Sequence, residues 1–473
     1  MSHRMIQHPY RVQCSVDYSD RHAWPLILVL AMVAGISLLT PVPTQTSIQP
    51  SELPFWLAGI VSAIAFRNLW VSFGKDIGMC ELAGAIGCIQ WLVGAIFSYS
   101  MRIDHYKYRM HVDSDVYFSY AVPATALFIA AMMLPVAFAT SKTPQRVSIH
   151  EVPDKVCWGI LLGGMAAYLI PSFVGVGSFG FVFYILGNLR FTGAILFMFK
   201  RGKLSWMVPI SVLAMAGVSA RNSGLFHDAL LWAAMMAIYF FLRRPTRGIE
   251  KLAAVVGGLA LAMTIQFVKA EIREFVWHGQ KDVSFSQLAY EEIVTNQAFS
   301  DEEELNGIVI RMNQGWIISQ IMRNIPDNSP FVEGESIQKA AESALLPRFL
   351  APDKQGAGGR ENFELFTGFE IGRYTSMGIS LLGESYGNYG RIGGCVLMFV
   401  FGLMFRLTAI FFHKIMIARP LMFFFIPAIM LQVVKAETDL VTVLNFITKS
   451  SLLCLILVVV LTNIIGRDPN DSQ

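Results

Sequence analysis

The chain has 473 residues, 54% of them hydrophobic and only 15% charged, and its mean hydropathy is positive. That composition belongs to a polytopic membrane protein rather than a large soluble enzyme. A formal net charge of +3 is too small to imply nucleic acid as a partner.

Met1 to Ser19 is polar, and the first apolar run, Trp24 to Leu39, leads into Pro41 and Pro43 without a small-residue cleavage pattern. It reads as a retained first span rather than a cleaved signal. Runs of about 17 to 25 apolar residues cross a ~30 Å hydrocarbon core as helices. Such runs fall at 24–40, 54–73, 79–100, 117–139, 156–173, 178–199, 204–219, 225–242, 251–268, 391–412, 419–434 and 444–464. The expected fold is all-α, with about twelve transmembrane helices. It divides into a bundle over 1–268, one large helical loop over 269–390, and further spans over 391–473.

Lys and Arg in the short connections set the orientation. With the N-terminus cytoplasmic, that side holds 17 of them and the opposite side five: Arg102, Lys107, Arg109, Arg221 and Lys435. Both termini are then cytoplasmic and the long loop faces outward. The loop opens acidic, with Glu291, Glu292 and Asp301 to Glu304. Leu305, Val309, Met312 and Trp316 recur at helical spacing, and Pro326 ends that pattern. Gly334 to Leu346 reads as a second short helix, closed by Pro347. Residues Asp353 to Arg360 are Gly-rich. The six cysteines lie outside this loop, mostly in or beside apolar runs, so no disulfide framework is expected.

Two polar stretches stand out in the loop: Leu346 to Lys354, and Gly383-Glu384-Ser385-Tyr386-Gly387-Asn388-Tyr389-Gly390. Arg348 offers a planar fork for phosphate oxygens, and Lys354 a point charge. The bland alternative for both is headgroup contact or pairing with Asp353. Arg221 sits in a short outer turn, Ser219 to Gly224, with His227 and Asp228 one helical turn on. A charge at the bilayer centre costs ~3 kcal/mol, which favours a functional reading; snorkelling, with Asp228 as local partner, is the alternative. Arg67 and Arg190 fall inside expected spans, and Arg190 follows Asn188, so the pair could line a cavity. Arg102, Lys107 and Arg109 are interleaved with Tyr106, Tyr108 and His111. Cations among aromatic faces suit sugars and phosphates, and equally an interfacial belt. Glu384 suits a general base or sugar-hydroxyl acceptor, or an acid at the N-terminus of the following span. No Walker motif, no Ser/His/Asp pattern and no His-x-x-x-His pair is present, so metal-independent chemistry without a cofactor, or no chemistry, is expected.

With these residues in place, the chain resembles the Wzy-type O-antigen and oligosaccharide-repeat-unit polymerases of bacterial inner membranes. The resemblance runs from the Ser219 to Gly224 turn through Arg311-Met312-Asn313, Pro326, Phe331 and Gly334. It continues through Pro347-Arg348 and Asp353-Lys354 to the Gly383 to Gly390 element, about a third of the chain. Gln355 stands where the family often has Pro, Tyr389 where Phe is usual, and Ala351 where Trp is frequent. The resemblance implies a GT-C-like glycosyltransferase that moves a glycan from a polyprenyl-diphosphate donor onto a lipid-linked repeat unit, with a chain-length regulator as a family partner. It places Arg348, Lys354 and Arg221, with Arg190 and Arg311, at the diphosphate leaving group. It places Glu384 at the acceptor, supported by Tyr386 and Asn388. An O-antigen ligase-like enzyme, a lipid or polysaccharide transporter, and a non-catalytic scaffold are the competing readings.

Overall fold

The computed structural model describes residues 10–11, 23–41, 52–103, 108–135, 148–149, 152–223, 226–243, 246–277, 306–307, 309–310, 312–346, 359–372 and 375–465. Its regular elements, in order, are β1 (Tyr10–Arg11), α1 (Ala23–Leu39), α2 (Leu53–Ser72), α3 (Met79–Ser100) and α4 (Ser114–Met133). Then come β2 (Ser148–Ile149), α5 (Asp154–Leu169), α6 (Gly180–Met198), α7 (Leu204–Ser223), α8 (His227–Leu242) and α9 (Gly248–Trp277). Short helices α10 (Gly315–Asn324), α11 (Glu335–Leu345) and α12 (Arg360–Thr367) follow. The chain closes with α13 (Ser380–Ala418), α14 (Ile426–Met430) and α15 (Leu440–Ile465). β1 and β2 form one two-residue antiparallel ladder.

Among the described residues, nine helices are long and apolar enough to cross a bilayer: α2 to α7, α9, α13 and α15. The protein is therefore a helical membrane protein. Helices α1 and α8 are apolar but shorter, 17 and 16 residues. The run at 419–434, expected to be one span, is not one helix. It folds as a 3-10 turn (Pro420–Phe424), α14, and then turns. Pro427 lacks the N–H that the Phe423 carbonyl would meet in a continuous helix. Lipid-exposed irregular backbone would leave polar groups unsatisfied, and this stretch avoids that by burial: Leu421 to Leu431 are all buried. The Tyr239 hydroxyl donates to the Phe423 carbonyl at 2.6 Å, and Trp91 Nε1 to the Ala436 carbonyl at 3.2 Å.

α13 is 39 residues long, about 58 Å of helix and roughly twice what a hydrocarbon core requires. It is two helices joined at Gly390, whose φ of 66° and ψ of −160° are open in practice only to glycine. The Gly383 to Gly390 stretch, expected as a loop, is thus helical up to Gly390. Its glycines permit close approach: a Cβ at Gly387 would lie 2.1 Å from the Phe366 ring, and one at Gly383 2.8 Å from Ile321 Cδ1.

Beyond the break, α13 runs parallel to α4. Gly394 faces Tyr120 and Gly402 faces Phe128, equal steps along both helices. Two arginines of α13 close helix ends along this seam. Arg391 donates to the carbonyls of Ser37 (2.5 Å), Leu38 (3.3 Å) and Thr40 (3.4 Å) at the end of α1, and to Ser119 (3.0 Å). Arg406 Nε donates to the Leu134 carbonyl at the end of α4, at 3.2 Å. Both satisfy carbonyls that a helix terminus leaves orphaned and meet the negative end of its dipole.

The helical pattern expected from Leu305 is helical at the described residues 306–307, 309–310 and 312, breaks at Asn313 and Gln314, and resumes as α10 at Gly315. Asn313 Oδ1 accepts the Gly315 N–H at 2.7 Å and makes a turn there. α10 is almost wholly buried. It packs with Phe363 and Phe366 of α12 and with Ile379 into a second small core. Gln320 and Asn324 donate to the carbonyls of Thr367 and Phe366 at the end of α12. The hydrogen bond from Arg360, with that from the Ile371 N–H, holds the Glu364 carboxyl below its ordinary range and closes the turn after α12. α10 also docks on α3. A π turn over Ile89–Val93 sets carbonyls free of the α-ladder; Gln90 accepts the Gln314 N–H (2.9 Å) and Trp91 the Tyr117 hydroxyl (2.7 Å).

The α4–α13 seam yields a direct test. A Cβ at Gly402 would lie 2.3 Å from the Phe128 carbonyl oxygen, so Gly402→Val forces the two helices apart. Overpacking of this kind costs about 1–3 kcal/mol. The variant's unfolding temperature in detergent should fall below that of Gly35→Val, because a Cβ at Gly35 meets nothing within 4 Å.

Candidate functional site

The end of the bundle where α4, α13 and α15 begin carries two polar groupings. The first is built around Glu384 on the N-terminal part of α13. This side chain is fully buried. Its Oε1 accepts the Ser336 hydroxyl at 2.8 Å, and its Oε2 accepts the Leu440 N–H at 2.7 Å. Asn388, one helical turn on, donates to Ser336 Oγ (2.9 Å) and accepts the Gly334 N–H (2.8 Å). Asp439, also buried, accepts the Thr442 N–H (3.2 Å) and the Asn362 amide (3.0 Å). Two carboxylates therefore meet the N-terminus of α15, where orphan N–H groups and the helix dipole favour negative charge. Of the two roles the sequence left open for Glu384, this geometry builds an N-terminal acid. The helix it caps is α15 rather than its own. Tyr386 stands beside it against Tyr120 and Phe331.

The second grouping joins α6, α8 and the turn before α15. Lys435 Nζ lies 2.5 Å from Asp228 Oδ1. The Tyr184 hydroxyl donates to Asp228 Oδ2 (3.1 Å) and accepts from Gln432 Nε2 (3.3 Å). His227 Nδ1 lies 2.7 Å from Glu437 Oε1. The Glu437 carbonyl accepts the Ser380 N–H at 3.2 Å, which ties this turn to the start of α13. Asp228 thus finds Lys435 as an ion-pair partner, where the sequence suggested Arg221. Further along α15, Lys449 lies over the Phe181 ring at 4.9 Å and is bonded to Asn445. Asn445 in turn donates to Ser343 of α11 at 2.8 Å.

Arg190 lies on α6, buried. Its Nη1 donates to the Gly187 carbonyl at 2.6 Å, and its guanidinium covers the Tyr168 ring at 4.0 Å. Tyr168 reaches Ser219 Oγ at 2.5 Å. Arg190 is therefore linked through one aromatic ring to the last turns of α7, where Arg221 sits half-buried. The Arg190 Nε has no hydrogen-bond partner among the described residues.

Of the sequence candidates, Glu384 and Asn388 share one network, with Tyr386 beside it. Arg190 and Arg221 lie on adjacent helices linked by Tyr168 and Ser219. Arg311, Arg348 and Lys354 lie outside the described residues. The sequence reading missed Lys435, Glu437, Asp439, Tyr184 and Lys449 as site residues. The signal for three of them was available: Lys435-Ala436-Glu437-Thr438-Asp439 is a polar interruption between two apolar runs. Comparison of the chain with family models, curated proteins and solved structures finds no match.

The capping network carries a stability prediction. Glu384→Ala leaves the Leu440 N–H and the Ser336 hydroxyl without their acceptor. Each buried unsatisfied group costs about 1–3 kcal/mol. The variant should unfold at clearly lower temperature than wild type in detergent, and Glu384→Gln should fall between the two. An unchanged midpoint for Glu384→Ala would remove the capping role.

Proposed function

We propose that the protein is a polysaccharide polymerase, transferring a glycan from a polyprenyl-diphosphate donor onto a lipid-linked repeat unit at the outer face of a bacterial inner membrane. The observation that carries the reading is the convergence of Lys435, Asp228, His227, Glu437 and Tyr184 at one end of an apolar bundle. The charges lie near one further cation, Arg190, on the largely buried helix α6 that also carries Tyr184. The motif resemblance around Gly383 to Gly390 supplies the substrate class.

In this reading twelve crossings put both termini in the cytoplasm and the 269–390 segment outside. The broken stretch 420–439 is the eleventh crossing, and its last turn opens on the outer face. The donor's anomeric carbon–phosphate oxygen bond breaks while the acceptor hydroxyl bonds to that carbon, and the diphosphate leaves with the electron pair. Lys435, Arg190, Arg221, Arg348 and Lys354 meet the charge that develops on the leaving oxygens. His227, held at Nδ1 by Glu437, has its second ring nitrogen in position to take the acceptor's proton. Glu384, buried and engaged twice, shapes the site by fixing α15 rather than by handling that proton. Arg348 and Lys354 enter this reading through the motif resemblance alone.

The test is genetic and chemical. A host lacking the protein is complemented with wild type, Lys435→Ala or Arg348→Ala, and lipid-linked saccharides are sized. Wild type should restore a ladder, and both variants should accumulate a single repeat unit, with activity down roughly a hundredfold or more, the scale of a lost oxyanion-stabilising group. An unchanged ladder in both variants sinks the electrostatic scheme. Long lipid-linked polymer in the null host points instead to a ligase or an exporter.

A further inference from the structure

A cavity of about 500 Å³ opens at the same end of the bundle and shares no lining residue with the charged cluster. Arg102, Arg109 and Arg323 line it, together with His111, Asp113 and Asp115. These come from three places: the end of α3, the connection into α4, and the last turn of α10. Neither Arg102 nor Arg323 makes an ion pair or a side-chain hydrogen bond among the described residues.

The backbone at Arg102 shows that its side chain is not incidental. Helix α3 ends with the Ile103 N–H on the Ser98 carbonyl (3.2 Å) and the Arg102 N–H on the Tyr99 carbonyl (3.3 Å). That is a Schellman closure, and its left-handed position is normally glycine or asparagine. Here Arg102 occupies it at a φ of 50°, a conformation that L side chains disfavour. Snorkelling would not require this position, since a basic residue on the adjoining helical turn would reach water without strain. The position instead directs a guanidinium into the cavity. Arg323 reaches it from the C-terminal turn of α10. Both cations sit at helix C-termini, whose dipoles lessen the cost of bringing like charges together. Asp113 and Asp115 belong to the N-terminus of α4, where the dipole suits them. Arg102 and Arg323 present two guanidiniums to the cavity, forked donors whose geometry matches tetrahedral oxyanions.

We propose that this cavity is a binding site for a phosphate ester, separate from the cluster around Lys435. Its donors are Arg102 and Arg323, with Arg109 on the third side. The phosphate has two possible carriers, a water-soluble ester or a lipid headgroup, and the chemistry of recognition is the same for both. Because ligand binding is read without turnover, the site stands or falls apart from the polymerase reading.

The test uses the full chain in an uncharged maltoside detergent, titrated separately with glycerol phosphate and with short-chain phosphatidylglycerol. Binding is followed by thermophoresis, and folding by thermal unfolding. R102G removes the guanidinium while supplying the residue that the left-handed position favours. Its unfolding temperature should therefore match or exceed that of wild type. R323Q is the second, independent variant. At least one ester should bind wild type, and its affinity should fall roughly tenfold or more in each variant, the scale of a charge-assisted hydrogen bond. Binding of glycerol phosphate assigns the site to a soluble or glycan-borne phosphate, and binding of the lipid alone to a headgroup. Failure of both esters to bind wild type, or equal binding by R102G and R323Q, overturns the proposal.

Discussion

Helices α13 and α15 begin at the same end of the bundle, where Glu384 of one meets the first N–H of the other. The chain between them must therefore return from the far end over residues 420–439, through the apolar interior. That return shapes much of the structure. Pro427 lacks the N–H that the Phe423 carbonyl would meet in a helix, and the Ala436 carbonyl lies in the turns that follow, so both need outside donors. Tyr239 supplies one from α8 and Trp91 one from α3. Each such donor fixes a helix against the broken stretch. An unmet carbonyl at this depth would cost on the order of a few kcal/mol, so these side chains are held tightly in place.

The same constraint produces the candidate site. Where the return ends, it must turn and start α15, and a helix start exposes N–H groups. Asp439 and Glu384 meet them. The turn itself carries Lys435 and Glu437, which find Asp228 and His227 at the start of α8. Asp228, in the first turn of α8, pairs with Lys435, and Glu437 in the turn meets His227 Nδ1. The cluster follows from how the fold closes.

Much of this was legible in the sequence, and the illegible part has a physical cause. Apolar runs locate spans because burial in lipid demands a fixed length of hydrophobic helix; α2 through α7 lie close to the runs that announced them. The run at 419–434 is equally apolar, yet hydropathy does not register the donor missing at Pro427 or the turns that follow α14. Glu384 stood out because a carboxylate amid glycines and aromatics is unusual. Its partners, Ser336 and Leu440, lie 48 and 56 residues away along the chain, and no local pattern encodes such a pairing. For the same reason Asp228 seemed to belong with its neighbour Arg221, whereas Lys435 reaches it from another part of the chain. Arg391 went unnoticed beside the Gly383 to Gly390 element, although it closes the end of α1.

For the proposed diphosphate donor, pre-paired charges have a consequence. Bringing a free ammonium into a partly dry site costs desolvation before any attraction is gained. Lys435 has already met that cost through Asp228, on which Tyr184 also converges. An incoming phosphate oxygen would exchange one anionic partner for another rather than create a new buried charge. Asp228, relieved of Lys435, would keep the Tyr184 hydroxyl and become free to accept from a sugar hydroxyl. The exchange costs least where the carboxylate is nearer to water than the cation. The side chain of Asp228 is 44% exposed against 10% for Lys435, so the acid is the partner that can move away while the cation stays.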